Sequence, residues 1–412
     1  MKRPSALVYA DEPVRFGAAF AASSLRRGGG VSVGPLSHTD DYDEPELPGP
    51  DWVRIAPRMS GICASDLAAV EGRSSRWFEP IVSLPFVPGH EVVADREDER
   101  VVLEPVLGCA ARGIQPACTP CSRGDLGNCE RLAHGCIEPG LQSGFCESTG
   151  GGWSTTMVAH PSQLHVVPDE MDDRAAVMVE PMACALHGAL AAGVSPGEVV
   201  AVIGAGTMGL GVIAALARWT PPATLLVGAK HRHQRDLALE LSGSVSTATA
   251  EPSELLRAAR RLTGSMLIGK GADQRVAGGM DVTIDCVGSA ESLRTALAMT
   301  RPRGRVVMVG MPGVTTVDLT PLWQREIAVA GAYTYGTETL GGQKVRTFDA
   351  AMELVAAAGL GRLVSATYPL DRAADAITHA ADAGRRGATK VAFTTGNTDE
   401  RTPTAQPPKT RS

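Results

Sequence analysis

Two patterns of apolar and polar positions divide the chain. Up to about residue 170, short β-branched runs such as 101–103 and 165–167 alternate with Gly and Pro, and sustained helical periods are few. This pattern is typical of an antiparallel, loop-rich β domain. From about Ala183, apolar runs of four to six residues alternate with Ala-rich stretches. That alternation predicts a parallel sheet covered by helices, so the expected fold class is α/β beside a β-rich domain.

The second pattern also predicts individual elements. Its strands are expected at residues 199–203, 224–227, 281–286 and 305–309. Farther along, helices are expected at 350–358 and 373–383, and a last strand at 390–394. The final residues, 396–412, are polar and contain three prolines, which is typical of a disordered tail.

One uncharged stretch, residues 199–217, is about long enough to cross a bilayer. Its glycines indicate a different structure, because a β-branched run, then glycines, then an Ala/Leu-rich stretch is typical of a buried strand, a tight turn and a helix. The start of the chain carries charge but no apolar run of signal-peptide length. We therefore expect a cytoplasmic protein without a membrane partner.

Composition and charge narrow the range of partners. The chain has 412 residues, of which 44% are apolar and 20% charged, enough for a packed core in two or three domains. The formal net charge is −6, and the charges are spread along the sequence. No basic face is large enough to indicate nucleic acid, so a small-molecule or protein partner is favoured.

A glycine motif follows the first strand of the α/β pattern. Gly204, Gly206 and Gly209 form G-x-G-x-x-G, with Thr207 and Met208 between the last two. The first glycine allows a tight turn, the second lets the backbone approach a pyrophosphate, and the third lets helix and strand pack closely. In this strand–helix context the motif predicts a dinucleotide site, whereas without that context it would indicate only a glycine-rich turn.

The loop after the second strand bears on which dinucleotide is bound. NAD-specific sites keep an acid there for the ribose 2′-hydroxyl, but residues 227–235 contain none. Lys230, Arg232 and Arg235 are basic, with His231 and His233 beside them, and such groups could neutralise a 2′-phosphate. NADP(H) is therefore preferred over NAD(H), and a solvated basic loop is the alternative interpretation.

Four cysteines are grouped in a loop rich in Pro and Gly. Cys109, Cys118, Cys121 and Cys129 follow the spacing C-x8-C-x2-C-x7-C. Four thiolates can close a tetrahedral zinc site, which would be structural because no position is left open for a substrate. Disulfides are the alternative, disfavoured by the absence of a signal-peptide pattern. The sequence predicts one structural zinc in a lobe at about 109–129.

A second set of metal-binding residue types is scattered. It comprises Cys63 in Gly-Ile-Cys-Ala-Ser-Asp, His90 and Glu91 in Pro-Gly-His-Glu, and Glu180 in Glu-Pro. Three zinc ligands with one open position form a catalytic site. Taken singly, each of these residue types is more often an ordinary buried or solvated residue than a metal ligand.

Together, these motifs resemble those of the zinc-dependent medium-chain dehydrogenase/reductase family, which includes alcohol, sorbitol and threonine dehydrogenases. The motifs appear in order at 61–66, 88–91, 109–129, 180–181, 204–209 and 285–289. The resemblance implies a GroES-like catalytic domain over 1–182, a Rossmann domain over 183–333 and a return to the catalytic domain over 334–395. It also places the active site in the cleft between the domains.

The resemblance assigns roles to particular residues. Cys63 and His90 become ligands of a catalytic zinc, with the third ligand drawn from Glu180 or Glu91. Ser65 matches the hydroxyl residue that takes the proton of the alcohol, and Asp66 the neighbouring acid that supports the site. Val287 and Gly310, which follow later strands, are further candidates for nucleotide contact.

The chain also departs from the family pattern at two positions. Gln115 stands where the first lobe cysteine usually lies, so Cys109 must reach in across a longer loop. Ala68 stands where many relatives have a relay histidine, so water or a cofactor ribose hydroxyl would complete proton release.

We therefore expect a two-zinc oxidoreductase that interconverts an alcohol, secondary or polyol-like, and its aldehyde or ketone, and that forms a homodimer or homotetramer. Two alternatives are kept open. One is a zinc-independent reductase of activated double bonds, and the other is a non-catalytic NADP(H)-binding redox sensor with only the structural zinc.

Overall fold

The computed structural model describes residues 3–395, which divide into two compact units. Unit 1 contains the chain up to Met178 and again from Gly361, and unit 2 contains Val179–Leu360. The chain thus leaves unit 1, builds unit 2 and returns. The tail predicted to be disordered, 396–412, lies outside the described residues.

The strands, in chain order, are β1 (Ala6–Tyr9), β2 (Leu36–Thr39), β3 (Val53–Gly61), β4 (Val92–Arg96), β5 (Glu99–Leu103), β6 (Met157–Ala159), β7 (Leu164–Val166), β8 (Val199–Ile203), β9 (Thr224–Gly228), β10 (Thr247–Ala250), β11 (Leu267–Ile268), β12 (Arg275–Val276), β13 (Met280–Asp285), β14 (Thr300–Met308), β15 (Ala328–Gly331), β16 (Thr337–Leu340), β17 (Gln343–Arg346), β18 (Val364–Pro369) and β19 (Lys390–Thr394).

The α-helices are α1 (Pro13–Leu25), α2 (Ala64–Val70), α3 (Thr119–Ser122), α4 (Asp173–Ala176), α5 (Val179–Ala191), α6 (Thr207–Trp219), α7 (Arg232–Leu241), α8 (Leu255–Thr263), α9 (Ala290–Met299), α10 (Thr320–Gln324), α11 (Thr347–Ala357) and α12 (Ala373–Ala381). Within residues 3–395 no helix combines the length and apolar character needed to span a membrane.

Unit 1 is built on a sheet of order β18-β19-β3-β4-β5-β7, with β6 also paired to β3. Its pairs are antiparallel, as the Gly- and Pro-rich pattern predicts, except that β18 and β19 run parallel. A core of buried side chains that includes Leu7, Phe86, Trp153, Val391 and Phe393 packs beside this sheet. The last strand, β19, therefore lies next to β3 although more than 300 residues separate them in sequence.

Unit 2 contains a parallel sheet of order β10-β9-β8-β13-β14-β15. Its central strands β8, β9 and β13 are mostly buried, which suits a sheet covered on both faces. The order reverses direction at β8, and the carboxyl ends of β8 and β13 meet there. Rossmann-type sheets bind their ligands at such a switch point. The α/β prediction is confirmed, and the uncharged stretch 199–217 forms β8, a turn and most of α6.

The unit boundaries differ from the expected ones. The return to unit 1 falls after Leu360 rather than after residue 333. The segment between these points belongs to unit 2 because α11 packs on α5 and the Tyr335 hydroxyl donates to Glu180 of α5 at 3.0 Å. The first boundary falls before Val179, where α5 begins, rather than after residue 182.

Helix α1 was not expected in a β-rich segment. Among its thirteen residues only Ala19 and Ser23 are buried, so it lacks a continuous apolar stripe. The repeat of apolar residues every 3.6 positions that predicts an amphipathic helix is therefore weak in this segment.

Candidate active site

Three of the predicted catalytic ligands meet at one end of the β3–β4 pair. Cys63 follows β3 and precedes α2, while His90 and Glu91 precede β4. Because β3 and β4 are antiparallel neighbours, the end of one lies beside the start of the other, and Gly61 N donates to Glu91 O at 2.8 Å. The ligand atoms of Cys63, His90 and Glu91 lie within 4.8 Å of one another.

The turn that presents His90 requires glycine. Gly89 has φ +98°, and a Cβ there would lie 2.4 Å from Cδ1 of Trp153. The Trp153 indole is fully buried, and its Nε1 donates to the carbonyl of Gly61 at 3.3 Å. This one side chain thus packs against both turns that carry the ligands.

Asp66 connects two members of the group. Its carboxylate is completely buried; Oδ2 accepts from Cys63 N at 2.9 Å and Oδ1 lies 3.4 Å from His90 Nδ1. Burial lowers the pKa of His90, but Asp66 and Cys63 raise this pKa by more, so it lies well above the usual value. The surroundings of the ring favour positive charge. Ser65 is half-buried in the first turn of α2.

Lys390 is a neighbour of Glu91 that sequence reasoning missed. Both side chains are buried, and the Lys390 ammonium forms an ion pair with Glu91 Oε2. Lys390 Nζ also donates to the carbonyl of Ile62 at 3.2 Å. A carboxylate has two oxygens, so an ion pair at one leaves the other for a second cation.

Glu180 lies in unit 2, in the first turn of α5. The Tyr335 hydroxyl donates to Glu180 Oε1 at 3.0 Å, and the Cys184 thiol donates to the same oxygen at 3.6 Å. Tyr335 and the carboxylate are both buried. The choice between Glu180 and Glu91 as third ligand stays a prediction.

The four lobe cysteines come together although Cys109 starts from a longer loop. All four sulfurs lie within 4.8 Å of one another; Cys109 Sγ and Cys118 Sγ stand 3.8 Å and 3.9 Å from Cys129 Sγ. Zinc–sulfur bonds of about 2.3 Å in a tetrahedron place sulfurs about 3.8 Å apart, so the arrangement fits zinc. All nine cysteines lie within residues 3–395, and none of them forms a disulfide there.

Backbone N–H groups also point at these sulfurs. Cys118 N donates to Cys109 Sγ at 3.3 Å, and Arg131 N donates to Cys129 Sγ at 3.4 Å. Burial raises the pKa of the Cys118 and Cys129 thiols and backbone hydrogen bonds lower it, with a net pKa of about 7 for Cys118 and a raised pKa of about 11 for Cys129. Such donors stabilise the thiolates that a metal requires.

The glycine turn has the geometry its motif predicts. Gly204 has φ +93°. A Cβ on Gly209 would lie 1.8 Å from Gly204 O, whereas one on Gly206 would meet nothing within 4 Å. Thr207 and Met208 open helix α6. The turn is therefore tight at its first and third glycines and open at its second, where the backbone N–H groups of a helix start can receive phosphate.

The basic loop divides into two kinds of residue. Lys230 and Arg232 are exposed after β9, and Arg232 Nε lies 3.7 Å from Asp236. Arg235 differs, because its guanidinium donates to Ala229 O at 3.0 Å and pairs with Glu251 at 3.4 Å. Arg235 thus stabilises the conformation of the loop. Lys230 and Arg232 are the exposed basic side chains that can reach a phosphate.

Val287 and Gly310 lie together at the ends of β13 and β14. A Cβ on Gly310 would lie 2.5 Å from the carbonyl carbon of Val287. Val287 N donates to Asp285 Oδ1 at 2.9 Å, and the same buried carboxylate accepts from Ser292 Oγ at 2.8 Å. Asp285 therefore fixes the backbone beside the glycine turn, a role that sequence reasoning did not assign.

The chain matches two family models and several known proteins. Residues 49–169 match the alcohol dehydrogenase GroES-like domain, and residues 208–357 match the zinc-binding dehydrogenase domain. Sorbitol dehydrogenase of Arabidopsis thaliana is 28% identical over 303 residues, which cover 70% of this chain and 75% of that protein. L-idonate 5-dehydrogenase of Vitis vinifera is 28% identical over 310 residues, which cover 71% and 76%.

A solved structure supports the same relationship. A candidate zinc-binding dehydrogenase of Sinorhizobium meliloti 1021, bound to NADP, is 25% identical with a TM-score of 0.63, covering 87% of this chain and 95% of that one. The two family models span the ligand turns and cysteine lobe of unit 1 and every strand of the unit 2 parallel sheet except β8. The chain therefore belongs to the zinc-dependent medium-chain dehydrogenase/reductase family and is an oxidoreductase.

Proposed function

We propose that the chain is a zinc-dependent NAD(P)(H) oxidoreductase that interconverts an alcohol, secondary or polyol-like, and its aldehyde or ketone. The observation that carries this proposal is the group of Cys63, His90 and Glu91, whose ligand atoms lie within 4.8 Å of one another. A thiolate, an imidazole and a carboxylate together are a donor set that zinc binds. The names of the sorbitol and L-idonate relatives support a polyol-like substrate.

Each residue of the candidate site has its own role in this reaction. When bound, zinc supplies Lewis acidity that lowers the pKa of a substrate hydroxyl, and the nicotinamide exchanges the hydride. Cys63 and His90, with Glu91 or Glu180, would hold the metal. Asp66 fixes the imidazole and the Cys63 backbone, and Ser65 accepts the hydroxyl proton. Ala68 offers no proton acceptor, so the proton leaves Ser65 through water or a cofactor ribose hydroxyl.

We infer that the dinucleotide is NADP(H) in preference to NAD(H). The loop after β9 presents the cations Lys230 and Arg232 and lacks an acid up to Asp236, which itself lies beside Arg232. The NADP bound in the Sinorhizobium meliloti relative supports this preference. Replacing Lys230 with Glu should weaken NADPH binding and leave NADH binding nearly unchanged, and equal losses for both cofactors would contradict the assignment.

We also propose a homodimer or homotetramer as the working form. Strand β15 is the edge of the unit 2 sheet, and it is largely exposed in the single chain. An edge strand offers unpaired backbone groups to a second copy. The alcohol or carbonyl substrate is the small-molecule partner, and a cytoplasmic location stays a prediction.

The first test is metal analysis combined with one substitution. Freshly purified protein should contain two zinc ions per chain, and Cys63→Ser should lower this content to one, abolish turnover of alcohols and aldehydes, and leave NADPH binding intact. Cys136→Ser, which removes an exposed thiol, is the matched control. Turnover retained by Cys63→Ser would exclude the catalytic zinc and favour a zinc-independent reductase. A wild-type protein with one zinc per chain and no turnover would favour the redox-sensor alternative.

A further inference from the structure

Arg112 is one of the largest side chains that unit 1 buries completely. It belongs to the turn that begins with Cys109, since Arg112 N donates to Gly108 O at 3.2 Å. The other arginine of the lobe, Arg123, is exposed, as is Arg131 just after the lobe. Among the residues of the lobe, Arg112 is therefore the cation that water does not screen.

The hydrogen bonds of Arg112 satisfy its donors without balancing its charge. The guanidinium donates only to backbone carbonyls: to Leu107 and His134 at 3.0 Å, to Ile137 and Glu138 at 3.5 Å, and to Gly140. Within residues 3–395 no carboxylate forms an ion pair with it. A buried charge without a counter-charge is strongly unfavourable, so the structure must supply an anion of another kind.

The groups around Arg112 that can become anions are thiols. The backbone of residues 107–109 lies between the guanidinium and the sulfurs: Arg112 Nε donates to Leu107 O at 3.0 Å, Cys109 N donates to Cys121 Sγ at 3.5 Å, and a Cβ on Gly108 would lie 3.4 Å from the same sulfur. Burial lowers the pKa of Arg112, whereas the thiols of Cys146, Cys129, Cys136 and Cys109 act to raise it. Cys146 is buried, which raises the pKa of its thiol and keeps it neutral. Cys109 and Cys129 belong to the four-sulfur group, where a metal would hold them as thiolates.

We propose that Arg112 is the built-in counter-charge of the cysteine lobe, with its guanidinium balancing the negative charge that four zinc-bound thiolates bring into the protein interior. Zinc with four thiolates carries a net charge of about −2, and one guanidinium offsets half of it. Because the coupling is reciprocal, zinc stabilises the buried Arg112 and Arg112 tightens zinc binding. Differences in affinity within one site are mostly differences in dissociation rate, so zinc release should be slower with Arg112 present. This role rests on the structural zinc of the proposed function and adds a positioning residue to it.

The test separates charge from hydrogen bonding. In a Cys63→Ser background, where the remaining zinc belongs to the lobe, a chromophoric chelator reports the rate of zinc release. Arg112→Gln removes the positive charge. Arg112→Lys keeps the positive charge but loses the planar guanidinium and its fixed set of N–H donors. We expect release at least tenfold faster from Arg112→Gln and within threefold of the parent for Arg112→Lys.

A matched control is Arg325→Gln. Arg325 is also buried and also donates to backbone carbonyls, those of Ala277 and Gly278, but it belongs to unit 2, whereas the cysteine lobe belongs to unit 1. Its release rate should equal the parent rate. If Arg112→Gln proves too unstable to purify, the melting temperature of Arg112→Lys is measured with and without bound zinc. The rise in melting temperature that zinc causes should equal the rise in the parent protein, and a smaller rise would contradict the charge role.

Each other outcome overturns the proposal. Equal release from Arg112→Gln and the parent excludes a charge role for Arg112 while leaving the zinc assignment intact. Equally fast release from the Lys and Gln variants assigns Arg112 to hydrogen bonding alone. A parent protein that contains no lobe zinc overturns both the zinc assignment and the counter-charge.

Discussion

The glycine turn of unit 2 allows stability and nucleotide binding to be separated by two substitutions of the same size. In Gly209→Ala, the new Cβ would start 1.8 Å from Gly204 O and must reach about 3.4 Å for ordinary contact. The obstacle is a backbone carbonyl in the turn, which cannot rotate away as a side chain would. Gly206→Ala adds the same methyl where nothing lies within 4 Å.

The expected magnitudes follow from these contacts. Overpacking costs about 1–3 kcal/mol, and here the upper end applies because the backbone must move. Alanine has a higher helix propensity than glycine, which stabilises helix α6 by about 1 kcal/mol and offsets part of this cost. Gly209→Ala should therefore lower the unfolding free energy of unit 2 by about 2 kcal/mol. For a unit of this size that corresponds to a melting temperature lower by about 4–8 °C.

Gly206→Ala should behave in the opposite way. Its φ of −79° and ψ of −165° suit alanine, so the melting temperature should stay within about 1 °C of wild type. The methyl would, however, occupy the open space at the start of α6, and NADPH binding should weaken at least tenfold. Calorimetry and fluorescence titration of both variants provide the data. A Gly209→Ala melting temperature equal to that of wild type would refute the packing reasoning, and unchanged NADPH affinity in Gly206→Ala would refute the phosphate position.

Three further predictions concern packing and charge. Glu198 forms a two-pronged ion pair with Arg305, at 2.6 and 2.9 Å, which lowers the pKa of Glu198 below its usual 4.5. The stabilisation is present above pH 4.5 and is lost as the pH falls through the lowered pKa, so urea unfolding should show Glu198→Gln about 1 kcal/mol less stable at pH 7, with a difference from wild type that shrinks as the pH falls below 4.5. Trp153→Ala should cost about 3–5 kcal/mol and reduce zinc content, whereas Trp323→Ala, an exposed control, should do neither. Tyr335→Phe removes one hydrogen bond to Glu180 and should lower the unfolding free energy of unit 2 by about 1–2 kcal/mol in chemical denaturation; no change would mean that the bond is replaced by water.

The parts of the fold that the sequence predicts are those with local signals. Strand β8 and the turn before α6 are specified by a β-branched run followed by glycines, and both occur as expected. The four lobe cysteines lie within 21 residues of one another, so a short loop is enough to bring them together. Helix α1 has no such signal, because it buries only Ala19 and Ser23.

The supporting contacts of the candidate site could not be predicted, because they join distant parts of the chain. Lys390 and Glu91 are almost 300 residues apart, and nothing near either residue indicates the other. Arg112 lies inside the predicted lobe, yet its burial depends on carbonyls of residues 134–140. The unit boundary after Leu360 likewise depends on the packing of α11 against α5.

These distant contacts give the C-terminal return a direct part in the candidate site. Strand β19 pairs with β3, carries Lys390 to Glu91, and places Phe393 with its ring centroid 5.0 Å from that of Trp153. Trp153 in turn packs against the Gly61 and Gly89 turns that hold Cys63 and His90. A chain can therefore contain every ligand motif and still lack the site, because the geometry of these ligands depends on a strand that carries none of them.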